Sequence, residues 1–144
     1  MLQPKKYKFR KCQKGRAWSI RSSLGLYGHE VRFGNYGIKA VDSGWITAYQ
    51  LESCRLMLRR ILGRGLDKAI WLRVFPDLPI TKKPAEVRMG KGKGNVDKWA
   101  VWIKRGQVLY EMRGISSYDA IKSVNNLNSK LPIKVRLTVN YFRK

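Results

Sequence analysis

The segment Arg88-Met89-Gly90-Lys91-Gly92-Lys93-Gly94-Asn95 holds the densest binding chemistry in this 144-residue chain. Three glycines in five residues bar regular structure, permit positive φ and let backbone N–H groups approach a ligand closely. Lys91 and Lys93 add point charges, and Arg88 adds a planar fork of donors suited to phosphate or base edges. Asn95 tolerates the left-handed conformation where the loop closes. A nucleotide-binding P-loop needs G-x-x-x-x-G-K-[ST] opening a helix. Here no Lys-Ser or Lys-Thr follows, and the next element reads as a strand. A dinucleotide fingerprint fails because no helix follows the G-x-G spacing. On pattern alone two readings stay open: an ordinary hairpin loop that is basic, and a loop that contacts RNA.

Other chemistry is sparse. His29 has no cysteine or serine that the sequence places beside it. Cys54 falls on the apolar face of an expected helix, and Cys12 sits in a basic run without a base. The nine acids are scattered singly, so paired-carboxylate chemistry finds no support. One His and two Cys offer no metal cluster and no secreted disulfide framework, and they suit a reducing compartment. The expectation is a non-enzyme without metal, cofactor or small-molecule substrate.

Charge points to the partner. There are 31 Lys+Arg against 9 Asp+Glu, a formal net charge of +22. A free chain so unbalanced repels itself, and a large polyanion relieves it. Membrane binders concentrate charge on one amphipathic helix, whereas these cations run from Lys5 to Lys144. No apolar run is long enough for a bilayer. The start, MLQPKKYKF, lacks the apolar stretch of a secretory signal.

The elements that must position this chemistry follow from periodicity. Residues 1–22 read as a basic tail, disordered alone and ordered on RNA. It carries Lys5, Lys6, Lys8, Arg10, Lys11, Lys14, Arg16 and Arg21, with Tyr7, Phe9 and Trp18 as candidate base-stacking rings. The first acid is Glu30. Residues 23–144 read as one globular domain carrying the 88–95 loop. Within it, 30–46 is strand interrupted by Gly34, Gly37 and Gly44. Thr47-Ala-Tyr-Gln50 is a capping-box pattern opening a helix. Leu51, Cys54, Leu58 and Ile61 form its apolar face, and Gly63 and Gly65 end it. Arg55 and Arg59, and likewise Arg60 and Arg64, are like charges four apart, which an external anion would relieve.

Ala69–Phe75 reads as a strand, followed by proline-marked turns at Pro76–Pro79 and Lys82-Lys83-Pro84. Lys98–Lys104 and Gln107–Met112 alternate and read as a hairpin about Arg105-Gly106. A second helix starts at Ser116 or Ser117, with Tyr118, Ile121, Val124 and Leu127 as its stripe. Ile133, Val135, Leu137, Val139 and Tyr141 mark a last strand. The fold class is α+β: two helices packed on a mainly antiparallel sheet as an α/β sandwich, with the basic tail and an extended glycine-rich loop.

Several stretches resemble a known family. MLQPKKYKFRKCQKGR, FGNYGIKAV, WITAYQLES, WLRVFPDLPITKKPAEVRMGKGKGN, GQVLYEMRGIS and KLPIK resemble, in order, large-subunit ribosomal protein sixteen of the bacterial type, kin to the archaeal and eukaryotic L-ten-e protein. The run from Trp71 to Asn95 is long and specific. The resemblance implies a structural, non-enzymatic constituent of the large subunit that binds its rRNA near the peptidyl-transferase centre. It implies closeness to A-site tRNA, with P-site tRNA second, and neighbouring large-subunit proteins.

On that basis the tail and Arg55, Arg59, Arg60, Arg73, Lys82 and Lys83 face rRNA, and the 88–95 loop faces tRNA. Two stretches depart from the family's small, Ala-rich helices: Leu51–Arg60 is Leu-rich, and Tyr118–Lys130 is rich in Asn and Ser. With Met1 unpreceded by a leader, they suggest an organellar copy. A mitochondrial one is expected before a plastid or bacterial cytoplasmic one. The competing class is a free basic nucleic-acid-binding protein or RNA chaperone.

Overall fold

A computed structural model describes residues 2–13, 28–63 and 69–140. In chain order the elements are β1 (Tyr36–Ala40), β2 (Gly44–Thr47), α1 (Ala48–Leu62), β3 (Ile70–Leu72), β4 (Leu78–Lys82), β5 (Asn95–Ile103), β6 (Val108–Met112), α2 (Ser117–Asn128) and β7 (Val135–Val139). The expected α+β class with two helices holds among the described residues. The sheet is two sheets, both antiparallel: four strands ordered β3-β6-β1-β7, and three ordered β2-β5-β4.

The expected 98–112 hairpin is corrected. A turn forms at Gly106, where φ is 88° and the amide donates to the Ala40 carbonyl at 2.9 Å. The strands on either side then enter different sheets: β5 pairs with β2 and β4, and β6 with β1 and β3. The true hairpin is β4–β5, in register from Leu78↔Ala100 to Lys82↔Asn95. Its strand β4 lay inside the expected proline turns. Pro79 is tolerated there because β4 is an edge strand, where a missing N–H costs no ladder bond. The 30–46 stretch likewise divides into β1 and β2, one in each sheet.

Helix α1 forms as its sequence dictates. Thr47 accepts from the Gln50 amide at 3.3 Å while the Gln50 side chain accepts from the Thr47 amide at 2.9 Å. Gly63 caps the other end with φ 80°. Leu51, Cys54 and Leu58 are buried as expected; Leu62 completes the face and Ile61 is only half-buried.

Helix α2 starts at the Ser116 cap but turns a different face inward. Ala120, Ser123, Val124 and Leu127 are buried, whereas Tyr118 is 73% exposed and Ile121 55%. Its end is held by Asn128, whose side-chain amide accepts from the Val135 N–H at 2.8 Å and donates to the Val135 carbonyl at 3.2 Å. The core gathers Ile38, Ile46, Leu51, Leu58, Ile103, Leu109, Tyr110, Met112 and Leu127. Tyr110 crosses it, and its hydroxyl donates to the Leu51 carbonyl of α1 at 2.7 Å. Burial raises that phenol's pKa and keeps it a donor.

Candidate nucleic-acid interface

The glycine loop is the tip of the β4–β5 hairpin. Lys82 and Asn95 are the last paired residues, and 83–94 project beyond them. Gly90 and Gly92 have φ of 95° and 89°, and Lys91 between them is left-handed at 52°. Three successive positive φ values make a tight tip that branched side chains would oppose. Gly94 is required for another reason: a Cβ there would overlap the Lys82 carbonyl. Arg88 through Lys93 are exposed, and Met89 is 93% exposed at the tip.

The N-terminal residues are not independent of this loop. Lys11 Nζ donates to the Lys93 carbonyl at 2.9 Å, and Lys93 Nζ donates to the Cys12 carbonyl at 2.6 Å. Lys83 Nζ reaches the Gly90 carbonyl within the loop. Further back, Tyr7 meets Trp99 of β5 edge-on, centroids 5.2 Å apart, and Leu2 packs against the core. Residues 2–13 of the expected tail thus touch the domain at Leu2 and Tyr7 and the loop at Lys11 and Cys12. Leu2 and Tyr7 give the segment its apolar contacts with the domain, and Lys11 uses a loop carbonyl as acceptor. Lys5, Lys6, Lys8, Arg10 and Lys11 stay exposed, with Lys8 over the exposed Phe9 ring at 5.4 Å. Across 2–13 and 82–95 there are ten Lys or Arg and one acid, Glu86.

The remaining candidates divide. Lys82 is exposed and Lys83 half-buried at the root of the loop. Arg59 and Arg60 are exposed in the last turn of α1, where the helix dipole favours cations. Arg55 forks onto Glu52, with contacts of 2.7 to 3.2 Å. That hydrogen bond lowers the Glu52 pKa and supplies an internal anion for the Arg55–Arg59 pair. Arg73 is turned inward, its side chain 18% exposed and paired with the fully buried Glu111. Lys14, Arg16, Arg21, Trp18 and Arg64 lie outside the described residues.

Glu111 is the residue that sequence reasoning missed. One carboxylate oxygen accepts from the amides of Arg32 at 3.0 Å, Phe33 and Gly34 at 2.9 Å; the other takes Arg73. The segment 32–34 thereby lies across β6, and a Cβ on Gly34 would strike the Met112 backbone. The only signal in the sequence was a lone acid inside an otherwise apolar strand.

These features define a basic α+β protein with ten of its cations gathered on the N-terminal segment and the glycine loop. The chain belongs to the family described as Ribosomal protein L16p/L10e, which it matches over residues 4–138. It is 51% identical over 134 residues to the large ribosomal subunit protein uL16 of Alkalilimnicola ehrlichii, and 50% identical over 134 residues to that of Halorhodospira halophila. Each alignment covers 93% of both chains. The family is one of ribosomal proteins, not of enzymes.

Proposed function

We propose that this chain holds large-subunit rRNA with its basic N-terminal segment and helix cations while the 88–95 loop extends toward tRNA. As a family member it is a structural constituent of the ribosome, bound to rRNA within the large subunit. The observation that carries the finer reading is the reciprocal tie between Lys11–Cys12 and Lys93. It joins the tail and the loop into one cationic projection, shaped to lie between RNA segments. Lys5, Lys6, Lys8, Arg10 and Lys11 neutralise phosphates along it, joined by Lys14, Arg16 and Arg21. Arg59, Arg60, Lys82 and Lys83 extend the footprint on the domain.

Arg88, Lys91 and Lys93 form the end aimed at the A-site tRNA near the peptidyl-transferase centre, with P-site tRNA second. Residues 1–22 act as the RNA-binding tail of the domain 23–144. No proton or bond is moved; the work is neutralisation and placement.

The test is Arg88→Ala, Lys91→Ala and Lys93→Ala together. The triple variant should fold and enter large subunits, yet translate poorly or stall late assembly. Sucrose-gradient fractionation with a translation assay reads both. A variant that fails to fold makes the loop structural. A wild-type chain that stays at the top of the gradient favours the free nucleic-acid-binding reading.

For the gene's source, an organellar and specifically mitochondrial copy is our reading, from the Leu-rich 51–60 and Asn-rich 118–130 stretches. Bacterial relatives at 51% and 50% identity keep a bacterial cytoplasmic copy as the alternative, beside a plastid one. Locating the gene on a bacterial chromosome or plastid genome overturns it.

A further inference from the structure

We infer that the outer face of the four-stranded sheet carries a second RNA-contact surface, built on Phe33 and Trp71, that takes unpaired bases by stacking. The inference rests on the rRNA-binding reading and adds a site distinct from the tail, the helix cations and the loop.

The placement follows from register. Trp71 of β3 and Gly37 of β1 both sit opposite Glu111 of β6, so these three share a face. The opposite face, with Ile38, Tyr110 and Met112, is core. On the outer face Gly37 has no side chain, and the segment 32–34 lies over Glu111. Phe33 then stacks on Trp71, centroids 6.1 Å apart and planes 27° apart. Arg73 Cζ stands 5.0 Å from the Phe33 ring centre. Phe33 keeps 48% of its surface exposed.

Single exposed rings are ordinary on protein surfaces. This group differs in being held. Three consecutive amides are fixed on one buried carboxylate, the Asn35 amide donates to the Met112 carbonyl, and the Asn140 side chain donates to the Val31 carbonyl. Rings already fixed lose little freedom on binding. The charge pattern selects the partner. Glu111 neutralises Arg73, whose guanidinium stands over the Phe33 ring, so the centre carries no net charge. Lys39 and Arg136, register partners on the same face, supply cations at its margin, while Arg32 is paired with Glu30. An aromatic centre without net charge and with a cationic margin matches a nucleotide, whose base stacks and whose phosphate is charged.

The experiment uses rebinding of the full chain to large-subunit cores stripped of it by high salt, followed by ultraviolet crosslinking and peptide mapping. Phe33→Tyr should bind as wild type. Phe33→Leu and Trp71→Leu should each bind about tenfold more weakly, the scale of losing one stacked base. Nucleotide adducts should fall on the peptides holding Phe33 or residues 71–75. Leucine variants that bind as tightly as Phe33→Tyr overturn the stacking surface alone, as do adducts confined to the tail and loop. Crosslinks from these peptides to a protein neighbour overturn it too, making the surface a protein contact. A wild-type chain that does not rebind the cores overturns the rRNA reading and this site with it.

Discussion

At the scale of single residues, Glu111 separates what a sequence can show from what it cannot. Its amide partners lie 77 to 79 positions away, so no local pattern announces them. Arg73, expected on RNA, is paired with the same carboxylate. Removing the carboxylate leaves one buried and two part-buried amides, with a largely buried cation, without their acceptor. Glu111→Ala should therefore cost about 3–5 kcal/mol, the usual penalty for breaking a buried charged pair from one side, read as the fall in urea midpoint at constant slope.

Cys54 was legible, because its place on an apolar helical face follows from spacing alone. Burial pushes its thiol up to about 11, so little thiolate exists at neutral pH. Cys12 is only partly buried. A maleimide at pH 7 should label Cys12 and spare Cys54 until urea unfolds the chain. Equal labelling of both, read by peptide mass, would contradict the packing of α1.

At the scale of elements, capping chemistry was read correctly and partner choice was not. Thr47 and Ser116 both cap as their sequences indicate, since those bonds span three residues. The stripe expected on α2 used only three-residue steps. Each such step falls about 60° short of a full helical turn, so Tyr118 and Leu127 point to opposite sides. The buried face runs through Ala120 and Ser123, small residues that a search for large apolar ones passes over. The Ser123 hydroxyl donates to the Asp119 carbonyl at 2.7 Å, so its burial strands no donor. The β5–β6 error is of another kind: a tight turn fixes chain reversal but not which sheet each strand joins.

The joined tail and loop were also invisible, being a contact over 81 or 82 positions. Lys11→Ala with Lys93→Ala should speed amide exchange across 88–94. Global stability should fall by no more than about 1–3 kcal/mol, the sum for two exposed bonds. Exchange unchanged in the loop would mean the two segments are not coupled in solution.

At the scale of the whole molecule, net charge was the most informative single reading, and it carries its own measurement. If six to ten phosphates are neutralised, affinity for stripped cores should fall roughly 10³–10⁵ between 50 and 200 mM salt. A nearly flat salt dependence would place the cations away from phosphate. The arrangement of strands has a separate consequence, in time rather than in contacts. β1 is bonded on one side to β6 and on the other to β7, both made long after it. A growing chain therefore carries residues 36–40 with two open edges until Val108–Met112 has been made, and the second edge closes only when Val135–Val139 has been added. Until then the strand is a template for any other unpaired strand nearby. The four-stranded sheet is complete only once Val135–Val139 has been made, and a chain stopped before Val135 should aggregate more readily than one that extends through Val139.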